Sequence, residues 1–168
     1  KGFLQHTKVE DLTFGVNGWA EGGSCIIHKK KFDELNGFDP IYSPFYWEDI
    51  DLSYRAWKKG YKVFFDPQIV VEHHHETTIG AFFNKKIVQT IAYRNQILCI
   101  WKNINDTSLM ISHIINLKIQ IIRALLSGDT VFLRGVAQAL KRLKNVLDSR
   151  KKVTQKITDH EILSQFTK

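Results

Sequence analysis

The chain has 168 residues, of which 24 are lysine or arginine and 17 are aspartate or glutamate, giving a formal net charge of +7. That length is sufficient for one domain with a hydrophobic core. Cys25 and Cys99 both stand in apolar stretches, which favours buried thiols in a reducing compartment and counts against a disulfide framework. The positive charge favours an anionic partner, such as nucleotide phosphates, nucleic acid or a lipid surface.

The first half of the chain predicts short strands and helices with loops between them. Apolar runs and alternation indicate the strands, while spacing at i, i+4 and i+7 together with glycine stop signals indicates the helices. We expect strands at 13–16, 24–28, 61–65 and 69–73, and helices at 30–35 and 48–59. So few short strands make a poor sheet, and we interpret them as the edge of a larger one.

From Ile79 the apolar period changes to 3.6 and stays there, which predicts an all-helical second half. We expect helices at 80–102, 108–127, 129–148 and 158–166. The predicted fold is therefore an α/β part over residues 1–78 followed by a helical extension over residues 79–168. Because the chain starts at Lys1 and its single methionine is Met110, we expect it to be a piece of a longer protein.

Three carboxylates, Glu48, Asp49 and Asp51, follow the aromatic run 45–47 at a predicted helix start. A purely structural interpretation is available, since acids in a first turn stabilise the helix and Asp51 can pair with Arg55 at i+4. A functional interpretation is equally open: aromatic rings form a wall on which a sugar or base stacks, and partial burial raises the proton affinity of a neighbouring carboxylate.

Three histidines close the predicted strand at 69–73 and extend it. Alternation places His73 and His75 on one face and His74 on the other. Two imidazoles on one face are a candidate metal pair, and a surface histidine cluster is the alternative. Neither cysteine has a zinc-ligand spacing, so a hard divalent ion shared with phosphates and carboxylates fits better than zinc.

Taken together, these motifs resemble those of family 2 glycosyltransferases, most closely the rhamnosyltransferase-like branch, which has a GT-A (nucleotide-diphospho-sugar transferase) fold. The resemblance extends over residues 18–78, and 93–95 with the later helices are similar to the helical tail of the same proteins. The segments that carry it are Trp-Ala-Glu-Gly-Gly-Ser-Cys-Ile-Ile-His-Lys-Lys-Lys-Phe at 19–32, Asn-Gly-Phe-Asp at 36–39, Tyr-Trp-Glu-Asp-Ile-Asp-Leu-Ser-Tyr-Arg at 46–55, Gly60-Tyr61, Pro67 and His73.

The resemblance implies an inverting sugar transfer from a nucleotide-sugar donor to a glycan or lipid-linked acceptor in cell-envelope polysaccharide biosynthesis. The position that matches the general base is Asp49, which would deprotonate the acceptor hydroxyl, while Glu48 would orient the acceptor or Asp49. The expected substrate-binding residues are Trp19, Gly22, Gly23, Trp47 and Asp51.

The resemblance also implies a divalent cofactor, Mn²⁺ or Mg²⁺, that assists diphosphate departure, and the matching histidine is His73. The nucleotide-binding half, with its aspartate-rich metal motif, would precede Lys1. We therefore expect the chain to be the acceptor-side half of the catalytic domain with its helical tail, inactive on its own and cytoplasmic.

The predicted helix over 108–127 is very apolar, but polar residues interrupt it, so a membrane span is not expected. We weigh two interpretations: packing against neighbouring helices, and a monotopic contact in which this helix and the following basic helix rest on an anionic leaflet. The second would place the protein peripherally on the inner face of the membrane.

Two other function classes compete with a transferase. A basic module that binds membrane or nucleic acid would use the lysines and arginines of 141–156, and its affinity would fall with salt. Nucleic acid is disfavoured because the aromatic residues cluster with the acids and not with the lysines. A histidine-based metal protein ranks third and would bind metal at His73 and His75 without nucleotide.

Overall fold

The computed structural model describes residues 2–4, 13–71 and 79–166. Within these ranges the chain forms helices almost throughout its second half and has two short strands in its first half. The strands are β1 (Gly15–Val16) and β2 (Phe64–Phe65); the helices are α1 (Lys29–Glu34), α2 (Glu48–Lys58), α3 (Ile79–Phe82), α4 (Lys85–Asn103), α5 (Thr107–Ser127), α6 (Thr130–Lys141), α7 (Leu143–Arg150) and α8 (Asp159–Ser164), with one turn of 3-10 helix at Pro40–Tyr42.

The strands are shorter than the sequence predicts. β1 and β2 pair antiparallel with Gly15 opposite Phe65, and the N–H of Asn17 donates to the carbonyl of Val63 at 2.9 Å. Residues 25–28 and 69–71 have no regular structure, and Ile26 is 90% exposed. The strand predictions for 24–28 and 69–71 were wrong, because no strand of the described ranges pairs with them; residues 72 and 73 lie outside the described residues.

Two long helices predicted from periodicity are divided. The side-chain oxygen of Asn84 accepts from the N–H of Ile87 at 2.9 Å, so Asn84 caps α4 and separates it from α3. The predicted helix over 129–148 breaks at Arg142, whose guanidinium donates to the carbonyl of Ile41 at 2.5 Å. The other predicted helices begin and end within two residues of the observed ones.

Helix α4 lies at the centre of the hydrophobic core. Its Ile97, Leu98 and Cys99 are completely buried, and one core cluster joins them to residues of α5, α6 and α7. Gly135 of α6 is required at this crossing, because a Cβ atom there would lie 2.8 Å from the Cβ atom of Tyr93 on α4. A second cluster joins α4 to α2 and α8; its buried members are Tyr54, Trp57, Ile100, Ile104 and Ile162.

Helix α5 packs through one narrow face. His113, Leu117 and Ala124 are buried, and most of the remaining apolar residues are exposed. Within the described part of the chain, α5 is the one helix whose length and apolar composition would allow it to cross a bilayer.

Candidate active site

A cleft of about 490 Å³ lies at the N-terminal end of α2. One wall is the loop after β1, another is the segment that leads from Phe38 to α2, and Ile79 of α3 closes one side. Carboxylates, backbone and aromatic rings all reach this cleft, which is a mixed surface suited to a polar ligand with a flat face. Its lining residues from the predicted site are Glu48, Asp49, Gly22 and Gly23, and its aromatic lining is Phe38, Tyr42, Phe45 and Tyr46.

The structure brings Asp49 and the Gly22–Gly23 loop together. Asp49 Oδ2 accepts from the N–H of Gly22 at 3.1 Å, and Oδ1 accepts from the N–H of Ile50 at 2.8 Å. The loop is itself fixed to α2, because the N–H of Ala20 donates to Ser53 Oγ at 3.0 Å. Two backbone amides therefore fix the orientation of the Asp49 carboxylate at the cleft, while each oxygen keeps a lone pair.

Glu48 is half-buried beside Asp49 and lines the same cleft. Its Oε2 atom is buried and has no hydrogen-bond partner among the described residues. Burial, followed by the negative charge of Asp49, raises the pKa of Glu48 above its ordinary value. The adjacent carboxylates thus occupy different environments: Asp49 is held by amides, and the pKa of the partly buried Glu48 is raised.

Asp51 does not reach the cleft. It is 0% exposed, and four side chains donate to it: Tyr42 Oη at 2.9 Å and Asn103 Nδ2 at 2.7 Å to Oδ1, and Arg55 Nε at 2.7 Å and Lys102 Nζ at 2.9 Å to Oδ2. The predicted pairing of Asp51 with Arg55 is confirmed. A buried carboxylate whose oxygens are occupied in this way positions the first turn of α2 instead of facing a ligand.

The two tryptophans predicted to bind substrate, Trp19 and Trp47, lie outside the lining of the cleft. Trp47 packs against the core cluster around α4, and the carbonyl of Trp19 accepts from Asn17 Nδ2 at 2.8 Å. Tyr46 and Trp47 both adopt left-handed backbone angles, with φ of 70° and 76°. This turn directs Trp47 inward and leaves Tyr46 at the cleft, at a backbone cost of about 1 kcal/mol or more per residue.

Arg94 and Asn95 of α4 hold the aromatic segment in place, a role that sequence reasoning missed. Asn95 is fully buried, and its Nδ2 donates to the carbonyls of Tyr42 at 2.6 Å, Phe45 at 2.9 Å and Tyr46 at 2.9 Å. Arg94 Nη2 donates to the carbonyl of Ser43 at 2.6 Å. The available signal was weak: Arg94 and Asn95 stand just before the apolar run 97–100, and polar residues that are buried beside such a run must find partners.

The described residues do not form a metal site by themselves. No group of three or more His, Cys, Asp or Glu side chains in the described ranges is arranged to hold an ion. Glu48 and Asp49 supply two carboxylates, and His73 lies outside the described residues. Because these residues fall short of a ligand set, no chemical step below passes through a metal.

Part of the chain is similar in sequence to known glycosyltransferases. N-acetylglucosaminyl-diphospho-decaprenol L-rhamnosyltransferases of Mycobacterium tuberculosis, from strains CDC 1551 / Oshkosh and ATCC 25618 / H37Rv, are each 33% identical over 63 residues. The match covers 38% of this chain, and it spans only 20% of the length of those relatives. No family model and no solved structure matches the chain. The chain is thus distantly related to a glycosyltransferase over part of its length.

Proposed function

We propose that this chain is the acceptor-side part of an inverting glycosyltransferase of family 2 with a GT-A fold, which transfers a sugar from a nucleotide-sugar donor. The observation that carries the proposal is the cleft in which the Asp49 carboxylate, fixed by two backbone amides, faces an aromatic rim. The partial match to a rhamnosyltransferase supports the same reaction class.

In the proposed reaction Asp49 is the general base. Its carboxylate takes the proton of the acceptor hydroxyl, the hydroxyl oxygen forms a bond to the anomeric carbon, and the bond from that carbon to the nucleoside diphosphate breaks with its electron pair. Attack from the side opposite the leaving group inverts the anomeric centre. A fixed carboxylate within hydrogen-bond reach of an alcohol typically contributes about 10²–10⁴-fold to such a step.

Glu48 is proposed to orient the acceptor. A carboxyl group with a raised pKa retains a proton to higher pH, and in that form it donates a hydrogen bond that Asp49 cannot. Its buried Oε2 atom has no hydrogen-bond partner among the described residues, and Glu48 lines the cleft together with Asp49. Gly22 and Gly23 are proposed to let backbone approach the substrate, and Phe45 and Tyr46 to stack on a sugar ring.

The proposal includes a divalent ion, Mn²⁺ or Mg²⁺, which would neutralise charge on the departing diphosphate when bound. His73 is the residue of this chain proposed to contribute to it. The remaining ligands are proposed to come from a nucleotide-binding half, and the 168-residue chain is expected to be inactive alone.

The acceptor is proposed to be a glycan or a lipid-linked glycan. The matched relatives are named for a diphospho-decaprenol-linked N-acetylglucosamine, a sugar carried on a lipid. An acceptor of that kind places the enzyme beside a membrane, so we propose a cytoplasmic protein that associates with the inner leaflet.

The experiment uses the intact protein in which residues 1–168 are joined to their nucleotide-binding half. A panel of sugar nucleotides is screened with Mn²⁺ or Mg²⁺, with and without a lipid-linked acceptor, and release of nucleoside diphosphate is measured. The proposal expects acceptor-dependent release from one donor and its loss in Asp49→Asn. Release that survives this substitution would show that Asp49 is not the base.

A non-catalytic basic module is the second candidate, favoured by the charge of the helical half. Residues 107–156 contain ten lysines and arginines but two aspartates and no glutamate. Such a module would bind its partner equally well as wild type and as Asp49→Asn, and it would turn over no sugar nucleotide. The grouping of the aromatic side chains with the acids around the cleft favours the transferase.

A further inference from the structure

The outward face of α5 is a continuous aliphatic surface. At 100° per residue its exposed positions fall within less than half of the helix circumference, opposite the buried His113, Leu117 and Ala124. Leu126 is 84% exposed. The members of this face are Ile111, Ile114, Ile115, Ile119, Ile122, Leu125 and Leu126.

One charged residue interrupts this face. Lys118 is exposed among the isoleucines, and Arg123 is exposed next to Ile122. A lysine stem packs along apolar surroundings while its ammonium group extends to a polar boundary, so Lys118 is compatible with burial of the face in an interface. Soluble monomers rarely leave seven large aliphatic side chains in one exposed strip. The strip therefore indicates an interaction surface for a membrane or for another protein.

The charge of the surrounding helices identifies the partner. Residues 107–156 contain ten basic and two acidic residues, whereas the whole chain contains 24 basic and 17 acidic residues. The other residues therefore contain slightly more acidic than basic side chains, and the net positive charge of the protein comes from the stretch 107–156, which includes α5. An exposed aliphatic strip that carries Lys118 and Arg123 and belongs to a strongly basic stretch of the chain is complementary to an anionic lipid leaflet.

The packing of α5 determines how the helix would meet a bilayer. His113 accepts from Trp101 Nε1 at 3.1 Å through Nε2, and its Nδ1 donates to the carbonyl of Gly2 at 2.7 Å. Leu117 and Ala124 continue this buried face into the core cluster. A transmembrane orientation would have to break these contacts, whereas a helix lying in the plane of the leaflet keeps them and buries only its outward face.

We propose that α5 is a monotopic membrane anchor whose outward aliphatic face inserts into an anionic lipid leaflet, with the basic residues of α5–α7 contacting the headgroups. The inference deepens the lipid-linked acceptor of the proposed function, but it rests on observations independent of the cleft. Its test requires no turnover, so its failure is distinguishable from failure of the transferase proposal.

The experiment is vesicle flotation of the 168-residue chain. Vesicles of phosphatidylcholine with about one-third phosphatidylglycerol are compared with pure phosphatidylcholine vesicles, at low salt and at about 0.5 M NaCl. We expect binding to the anionic vesicles that weakens at least ~10-fold in high salt, because the electrostatic part of the attraction is screened.

The variants test the face directly. The double substitution Ile122→Glu with Leu126→Glu is expected to weaken vesicle binding at least ~10-fold, because it removes two inserted aliphatic side chains and adds charge. Val70→Glu is the matched control: Val70 is 86% exposed but lies outside α5, and its substitution is expected to leave binding unchanged. Equal circular dichroism melting curves show that all variants are folded.

Three results would overturn the proposal. They are absence of wild-type binding to anionic vesicles, binding that the α5 double variant retains, and a stable wild-type dimer that dissociates in the double variant. The last result, measured by light scattering, would assign the face to a second copy of the chain. The membrane anchor is supported if the double variant loses vesicle binding, the wild type and Val70→Glu keep it, and all three proteins have the mass of a monomer.

Discussion

At the residue scale, Glu48 and Asp49 show how neighbouring identical functional groups acquire different properties. Asp49 receives two backbone N–H groups, whereas an oxygen of Glu48 is buried without a partner in the described ranges. Environments that separate two carboxylates are typical of sites where one acts as a base and the other retains a proton. This difference in hydrogen bonding supports the proposed roles of Asp49 as the base and Glu48 as the orienting residue.

The raised pKa of Glu48 gives a pH dependence of definite sign. Because the folded-state pKa lies above the ordinary value of 4.5, ionisation costs more in the folded than in the unfolded state, and stability is lost as pH rises from 4.5 through the folded pKa. We expect Glu48→Gln to be more stable than wild type at pH 7, with the advantage shrinking as pH falls toward 4.5. Urea denaturation at a series of pH values measures it.

Glu161 provides a control of opposite sign. Its pKa is lowered by hydrogen bonds from the side chain and the backbone N–H of Thr158, with which it forms the capping box of α8. Glu161→Gln should therefore be less stable than wild type above pH 4.5, and this deficit should shrink as the pH falls from 4.5 through the lowered folded-state pKa. Equal pH dependence in both variants would contradict the environments assigned to these residues.

At the element scale, α2 is held by its buried carboxylate and not by its apolar face alone. Asp51 joins α2 to α4 through Lys102 and Asn103, and to the 3-10 turn through Tyr42. Lys102 Nζ also contacts Asp39 Oδ2 at 2.8 Å, which fixes the segment between α1 and the cleft. The first turn of α2, with Glu48 and Asp49, is positioned by this network.

We expect Asp51→Asn to destabilise the fold by about 3 kcal/mol, because it leaves the buried Arg55 without its countercharge and Lys102 with Asp39 alone. The matched control is Asp33→Asn, which breaks the exposed i,i+4 pair with Lys29 and should cost less than about 0.5 kcal/mol. Denaturant unfolding with fluorescence detection measures both. A cost for Asp51→Asn as small as that of the control would contradict the role of the network.

The segment 42–46 depends on α4 in the same way. Asn95→Ala removes the donor to one buried and two partly buried carbonyls, and we expect a loss of about 1–3 kcal/mol in stability. Because the segment loses the hydrogen bonds that hold it against α4, the backbone amides of 42–47 should also exchange their hydrogens faster in the variant. Asn145→Ala on the exposed surface of α7 is the control and should change neither measurement; unchanged exchange in Asn95→Ala would contradict the assignment.

At the scale of the whole molecule, the C-terminal helix closes the fold over α2. Asp159 is buried; it accepts from Tyr54 Oη at 2.8 Å and from the N–H groups of Asn105 and Asp106, and it lies 3.1 Å from Lys58 Nζ. One carboxylate thus connects α8, α2 and the turn between α4 and α5. The helical half therefore helps to hold α2, whose first turn carries Glu48 and Asp49, in its place.

We expect Asp159→Asn to destabilise the protein by about 3 kcal/mol, since it leaves the buried Lys58 ammonium without its countercharge. Hydrogen exchange should show the loss in α2 as well as in α8, because both helices share the carboxylate. Asp148→Asn, which breaks an exposed pair with Lys151, is the matched control and should have little effect. Protection of α2 unchanged by Asp159→Asn would contradict the coupling.

Periodicity predicted α2 and α5 closely because their apolar positions recur at a regular helical spacing. It missed the break before α4, since a cap such as Asn84 is distinguished from a mid-helix asparagine only by the hydrogen bond it makes. The Asp51–Arg55 pair is local and was found, but Lys102 and Asn103 are some fifty residues away and no spacing rule reaches them. No spacing rule places Gly22 beside Asp49; the family resemblance assigned both residues to the substrate site, and their hydrogen bond is a finding of the structure.

The central claim, that Asp49 is the base of a sugar transfer, is tested most directly by turnover of the intact transferase carrying Asp49→Asn. Asparagine has the shape of aspartate, and its side-chain oxygen can still accept from the N–H of Gly22, but it cannot take up the proton of the acceptor. We therefore expect kcat to fall by about 10²–10⁴-fold, while donor binding and folding are retained. Asp33→Asn, away from the cleft, should turn over normally. Wild-type turnover in Asp49→Asn would contradict the account.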